Sequence, residues 1–182
     1  MKNIGKILML VALTTFFTSC ESIKSVFDVE VETTLSGDLD IDVEEPAVKS
    51  AGDTYFEANT VIDPMTDEQV EKYADNIKQI RADNIAATVI DSNLDGVIFR
   101  EGMTITMGNG DKSVTWRTGN EYAIVPGLEF ILPDTGGLYN AVSDILTAKE
   151  MITVSCTGYC NKTGVKVKLR TFIETTVIAN PL

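Results

Sequence analysis

The sequence predicts a mainly β protein, an antiparallel β-sandwich with two packed helices, and three observations predict it. Apolar and polar residues alternate with period two over many short stretches. Turn residues such as Asn-Gly and Pro-Gly punctuate these stretches at short intervals. Only two segments, 66–80 and 138–148, carry apolar residues at helical spacing. Strands do not alternate regularly with helices, which argues against a doubly wound sheet, and a β-barrel with helical inserts is the alternative.

The first strand signal begins at Phe27. Phe27, Val29 and Val31 alternate with Asp28, Glu30 and Glu32, and Leu39, Ile41 and Val43 alternate with Asp38, Asp40, Asp42 and Glu44. Such alternation gives one buried and one wet face. The apolar positions are odd on both sides of Ser36-Gly37, so a hairpin there has to join odd to odd through a three-residue loop, setting Leu35 against Leu39 and Val31 against Val43. The acidic row suits a solvated face that keeps an edge strand from pairing with other chains. Carboxylates roughly 7 Å apart along a strand rarely close round one cation.

Residues 46–53 read as a loop and 54–62 as a strand. In the first helix Thr66 stands as N-cap with Gln69 three residues on, a capping box, while Met65 and Val70 occupy the positions of a hydrophobic staple. Val70, Tyr73, Ala74, Ile77 and Ile80 form its apolar stripe. Strands are expected over 85–90, 97–107, 112–117, 122–125 and 128–132, with turns at Gly108-Asn109-Gly110-Asp111 and Thr118-Gly119-Asn120-Glu121. Trp116 shares a face with Val114, which places it in the core rather than on a sugar platform. Asp134-Thr135-Gly136-Gly137 leads into the second helix, whose stripe is Leu138, Ala141, Val142, Ile145 and Leu146. Strands over 151–157 and 165–177 close the chain. The last alternates Val165, Val167 and Leu169 with Lys166, Lys168 and Arg170, a basic row that can lie beside the acidic one near the N-terminus.

Composition narrows the chemistry. The sequence holds 15 Lys and Arg against 27 Asp and Glu, a net charge of −12, and no histidine. An acidic surface argues against nucleic acid as a partner. The missing imidazole excludes Ser-His-Asp and Cys-His nucleophile systems and nearly all zinc, copper and non-haem iron sites, leaving carboxylate catalysis and calcium.

The N-terminus carries Lys2 and Lys6, the apolar run Ile7-Leu8-Met9-Leu10-Val11-Ala12-Leu13, and then Phe17-Thr18-Ser19-Cys20. A charged start and a short apolar run make a secretory signal, too short to span a bilayer. Its end resembles the lipobox of bacterial lipoproteins, with Phe17 where that family usually has Leu. The resemblance covers about a ninth of the chain. It implies a signal peptide over 1–19, Cys20 as the lipid-bearing N-terminus with palmitate or a similar acyl group, a short tether over 20–26, and a single sandwich domain over 27–182. Loss of two lysines with residues 1–19 takes the mature charge to about −14. About six tether residues reach ~20 Å. The residues after Cys20, Glu21-Ser22-Ile23-Lys24, lack the acidic run of some surface-export signals, which points to the periplasmic face of the outer membrane.

Two further motifs bear on sites. Asp91-Ser92-Asn93-Leu94-Asp95-Gly96 resembles the opening of an EF-hand or dockerin calcium loop, which implies Asp91, Asn93 and Asp95 as metal ligands. The twelfth position is Gly102, with Glu101 one place early, and an Asp/Asn/Gly-rich β-turn is the competing reading. Cys156-Thr157-Gly158-Tyr159-Cys160 suits either a structural disulfide across a three-residue hairpin loop or two free thiols, and lacks the C-x-x-C spacing of a redox site.

The chain is therefore expected to be a lipid-anchored, non-enzymatic protein of the cell envelope, a binding, docking or structural module whose partners are the membrane and an envelope protein or glycan, with no cofactor. Two alternatives stay open. One is a calcium-stabilised glycan- or protein-binding module; the other is a small carboxylate-based glycoside hydrolase, which needs two acids converging in a cleft.

Overall fold

The computed structural model describes residues 28–44, 52–110 and 112–180. The strands are β1 (Val29–Val43), β2 (Thr54–Ile62), β3 (Ile77–Ser92), β4 (Val97–Phe99), β5 (Thr104–Asn109), β6 (Lys112–Arg117), β7 (Tyr122–Ile124), β8 (Glu129–Ile131), β9 (Ile152–Cys160) and β10 (Val165–Ala179). The helices are α1 (Glu68–Tyr73) and α2 (Leu138–Thr147). All strand pairs are antiparallel. One sheet has the order β1-β10-β3-β8; in the other, β9 pairs with β2 on one side and with β5 and β4 on the other, and β6 and β7 flank these.

This is a sandwich and not a closed barrel. The pairing has a simple origin: β1 meets β10, β2 meets β9, β3 meets β8, and β4 and β5 meet β7 and β6. The chain is one long hairpin with its tip at Gly110, whose φ of 57° suits the Asn-Gly turn. Rolling that hairpin brings β10 onto β3 and β9 onto β5, the connectivity of a jelly roll.

Period two survives in most strands. In β2, β6 and β9 buried and more exposed residues alternate, and the inward sets, among them Phe56, Val114, Trp116, Val154 and Cys156, join one core with Leu39, Ile41, Leu169 and Ile173 of the facing sheet. In β3 the phase shifts where Ala82 pairs with Thr175 and Asn84 with Glu174, which leaves Asp83 as a bulge.

Three expected boundaries are corrected. There is no hairpin at Ser36-Gly37: β1 runs straight through, with Ser36 opposite Phe172 and Gly37 opposite Thr171. The shared odd parity that demanded an awkward loop is the parity of one uninterrupted strand. Gly37 serves a close approach, since a Cβ there would lie 2.9 Å from Ile62 Cγ1 and 3.1 Å from Thr60 Cγ2.

The helix expected over 66–80 is also shorter. The cap is Asp67, whose Oδ1 accepts from the Gln69 and Val70 amides at 2.9 and 3.0 Å, while the Thr66 hydroxyl donates to the Asp63 carbonyl. After Tyr73 a 3-10 turn over Ala74–Asn76 hands the chain to β3, and Ile77 and Ile80 pair with Ala179 and Val177. Their helical spacing was overridden by a sixteen-residue ladder on a neighbouring strand. The second helix matches expectation. It ends in a Schellman motif, with Lys149 at φ 60° in the usual glycine place and the Glu150 and Lys149 amides returning to the Ile145 and Leu146 carbonyls.

The third correction concerns the cysteines. Residues 156–160 form no hairpin loop; both cysteines lie inside β9, facing the core, and both are free. Four strand residues separate their Cα atoms by roughly 13 Å, beyond the ~7 Å limit for a disulfide.

Candidate functional site

The outer face of the six-stranded sheet carries the most distinctive surface. In β2 and β9 every residue of one phase points outward, and that phase holds Tyr55, Glu57 and Asn59 on one strand and Tyr159, Thr157 and Ser155 on the other. Register sets Tyr55 directly opposite Tyr159. Their rings stand 5.5 Å apart at 66°, and each residue is about half exposed, 51% and 52%.

Directly behind them the inward phase holds Phe56, whose ring lies 4.6 Å from that of Phe99. Gly158 makes room for that pair, because a Cβ there would come within 2.9 Å of Phe56 Cζ. The inner aromatics complete the core, so the outer tyrosines are not needed to close it.

Polar groups hold the surroundings of the pair. The Tyr55 hydroxyl donates to Glu57 Oε2 at 3.1 Å, and desolvation first, then this acid, raises the phenol above its ordinary range. The Arg100 amide donates to the Tyr159 carbonyl at 2.8 Å. Its guanidinium bridges Asp53 at 2.8 Å and Glu121 at 2.7 Å, tying the entry of β2 to the start of β7. Beyond Tyr159 the Thr157 and Thr104 hydroxyls share a hydrogen bond of 2.6 Å. The result is a fixed aromatic corner rimmed by carboxylates and hydroxyls, a surface equipped to stack on a ring and hydrogen-bond around it.

Concavities lie elsewhere. On the outer face of the four-stranded sheet, the Asp83 bulge lines a cleft of about 500 Å³ with Glu32, Thr34, Arg81, Glu174 and Thr176. There Arg81 Nε lies 2.7 Å from Asp83 Oδ1 and the Thr176 hydroxyl donates to Asp83 Oδ2 at 2.6 Å. Burial pushes the Asp83 carboxyl up, but those bonds outweigh it and hold the group below its usual range. Asp38 is also held low, first by its hydrogen bonds from Arg170. A glycosidic general acid must be displaced the other way. Another concavity, about 380 Å³, opens between β6 and β8 beside Trp116.

The other expected residues fall as follows. Cys20 lies outside the described residues. Asp91 lies in β3 opposite Lys168 of β10, Asn93 and Asp95 sit in the turn that follows, and the three do not converge as calcium ligands. Asn93 Oδ1 accepts from the Lys166 amide at 2.7 Å, its Nδ2 donates to the Gly164 carbonyl at 3.0 Å, and Lys162 Nζ reaches the Asp95 carbonyl at 2.5 Å. The motif that resembles a metal loop is a side-chain staple between two turns. Among the described residues no group of three or more His, Cys, Asp or Glu is placed to hold a metal ion.

Burial pushes the Cys156 thiol up to about 12, which leaves it un-ionised and unreactive at neutral pH. Trp116 is a core residue, 8% exposed, with its indole N–H donating to the Pro133 carbonyl at 2.9 Å. The basic row does lie beside the acidic one: Arg170 grips Asp38 at 2.7 and 3.1 Å, Lys168 lies 3.5 Å from Asp40, and Lys166 lies 3.1 Å from Asp42.

Sequence reasoning passed over Tyr55 and Tyr159. The signal was present in their phase, since each is a large aromatic at the polar position of an alternating strand, but their register is a long-range fact. No protein-family model and no curated protein matches the chain. Among solved structures it is similar to the decameric BFDV capsid protein, at 8% identity and a TM-score of 0.43, over 82% of this chain and 99% of that one. It is also similar to Desmodium yellow mottle tymovirus, at 5% and 0.30 over 85% and 84%. A third likeness is to the virus-like particle of a nodavirus of the giant freshwater prawn Macrobrachium rosenbergii, at 6% and 0.32 over 85% and 96%. All three TM-scores lie below 0.5, and nothing about this chain's activity or assembly follows from them.

Proposed function

We propose that the protein is a lipid-anchored, non-enzymatic module of the bacterial cell envelope that presents the outer face of its six-stranded sheet to a partner. The observation that carries this reading is the placement of that face relative to the chain's entry. The strand β1 starts at Val29, opposite Ala179, and ends at Val43, opposite Val165. Only residues 161–164 link β9 to β10, so Tyr159 and its partner Tyr55 lie at the Val43 end. Fifteen strand residues span roughly 45 Å.

A lipid on Cys20 would therefore hold the Val29 end near the bilayer and leave the aromatic corner facing away from it. The acidic charge works in the same sense, repelling anionic headgroups. No helix among the described residues is long and apolar enough to cross a membrane, so in this reading attachment falls to the lipid.

The test is metabolic labelling with palmitate, followed by membrane fractionation of cells producing wild-type protein or Cys20→Ala. Label and membrane association in the wild type, both lost in the variant, are expected. An unlabelled wild type that partitions with the soluble fraction would overturn the anchor.

A further inference from the structure

We infer that the Tyr55–Tyr159 corner binds a neutral oligosaccharide. The inference deepens the reading of this face as a binding surface and rests on it, but does not depend on the lipid. Its first support is the cost of the arrangement. Two tyrosines sit in the outward phase of strands whose other outward residues are Thr, Ser, Asn, Glu and, at the far end of β2, Val61, and both tyrosines keep about half their surface in water. Phe56 and Phe99 already fill the space beneath, so the tyrosines add to the fold only a cross-strand contact on its surface.

The second support is chemical fit. An aromatic face is electron-rich and attracts polarised C–H bonds, and the apolar face of a pyranose offers a ring of them. The rings meet edge to face at 66°, and with about half of each residue in water, aromatic surface stays open for stacking. A sugar's hydroxyls then need fixed donors and acceptors close by. The Glu57 carboxylate is held by the Tyr55 hydroxyl, Asp53 and Glu121 by Arg100, and the Thr157 hydroxyl stands next along the same face of β9.

The third support is charge, which selects neutral over anionic glycans. The Arg100 guanidinium at the corner is already shared by two carboxylates, and the whole chain is strongly acidic. A uronic acid or sulfated sugar would meet that net negative charge. A protein partner fits less well, because its hot spots need a wide, water-excluding surround, and this corner is rimmed by charges and hydroxyls.

The experiment uses full-length protein extracted from membranes, together with the Cys20→Ala protein, in calorimetric titrations with soluble β-glucan, mannan and galactan. Polygalacturonate serves as the anionic comparison. Binding of at least one neutral polymer is expected, weakened about tenfold or more by Tyr55→Ala and by Tyr159→Ala, with Tyr55→Phe within about threefold of wild type because the ring remains. The alanine variants lose a cross-strand contact on the surface, so their melting midpoints should fall by no more than a few degrees, which separates lost binding from lost fold.

Failure of all three neutral polymers to bind, equal binding by the double alanine variant, or binding of polygalacturonate alone would each overturn the inference. So would a dimer that the tyrosine variants abolish. Binding by Cys20→Ala protein alongside an unlabelled wild type would remove the anchor and leave the sugar site standing. Palmitate incorporation without polysaccharide binding would do the reverse.

Discussion

Thr171→Val should stabilise the protein. Thr171 lies in the middle of β10, fully buried, between Gly37 of β1 and Ala87 of β3. Its Oγ1 has no hydrogen-bond partner among the described residues. A buried hydroxyl left unpaired costs about 1–3 kcal/mol relative to its hydrated state. Valine replaces the hydroxyl with a methyl of nearly the same shape and keeps the β-branch that suits a strand, so packing changes little. A gain of about 1–2 kcal/mol is expected. For a domain of this size that raises the melting midpoint by roughly 3–6 °C.

Thermal and urea unfolding measure it, with a higher urea midpoint at unchanged slope as the required signature. Thr175→Val is the internal comparison. Thr175 is also buried, but its hydroxyl donates to the Thr33 carbonyl at 3.2 Å, so the same chemical change should cost about 1 kcal/mol. Equal effects from the two substitutions, or a loss at Thr171, would refute the reasoning that pairing decides the sign.

Four other outcomes are expected. Gly108→Ala places a Cβ 2.5 Å from the Lys112 carbonyl oxygen and 2.9 Å from Ser113 Cα; backbone cannot yield as a side chain can, so unfolding titrations should show a loss at or above about 3 kcal/mol. Native protein with Cys20 blocked or replaced should leave Cys156 unmodified by a thiol reagent at pH 8, and unfolding without reductant should release two thiols rather than none. Arg170→Gln tests the Asp38 pair. The folded-state pKa of Asp38 is depressed, so the pair's contribution is present above about pH 4 and is lost as pH falls through the lower folded value. Both groups are partly exposed, so the loss at pH 7 should be small and should shrink in acid and in high salt. Asn93→Ala removes two bonds to backbone groups and should lower stability by about 1–2 kcal/mol, while millimolar calcium leaves the wild-type midpoint unmoved.

The sandwich class was legible because burial in a sheet writes itself into the sequence with period two. Thr54 to Ile62, on a weaker pattern, and Lys112 to Arg117 match their strands to the residue. The second helix was legible for the same kind of reason, since a stripe at Leu138, Ala141, Val142, Ile145 and Leu146 satisfies only one geometry. The pairing of acidic and basic rows could be anticipated from charge alone.

What stayed hidden depends on partners distant in the chain. Ile77 and Ile80 fit a helix locally, and only the ladder to β10 turns them into a strand. Ser36-Gly37 reads as a turn until β2 is seen crossing over Gly37. Cys156 and Cys160 suggest a hairpin until β2 pairs with all nine residues of β9. The candidate sugar corner belongs to this second group. Tyr55 and Tyr159 stand more than a hundred residues apart, and sequence shows only that each occupies a wet position. Local periodicity determines which side of a strand a residue takes, because that depends on the backbone's own geometry. Which strand it then faces is decided by the rolling of the whole hairpin, and only the tertiary structure sets one tyrosine against the other.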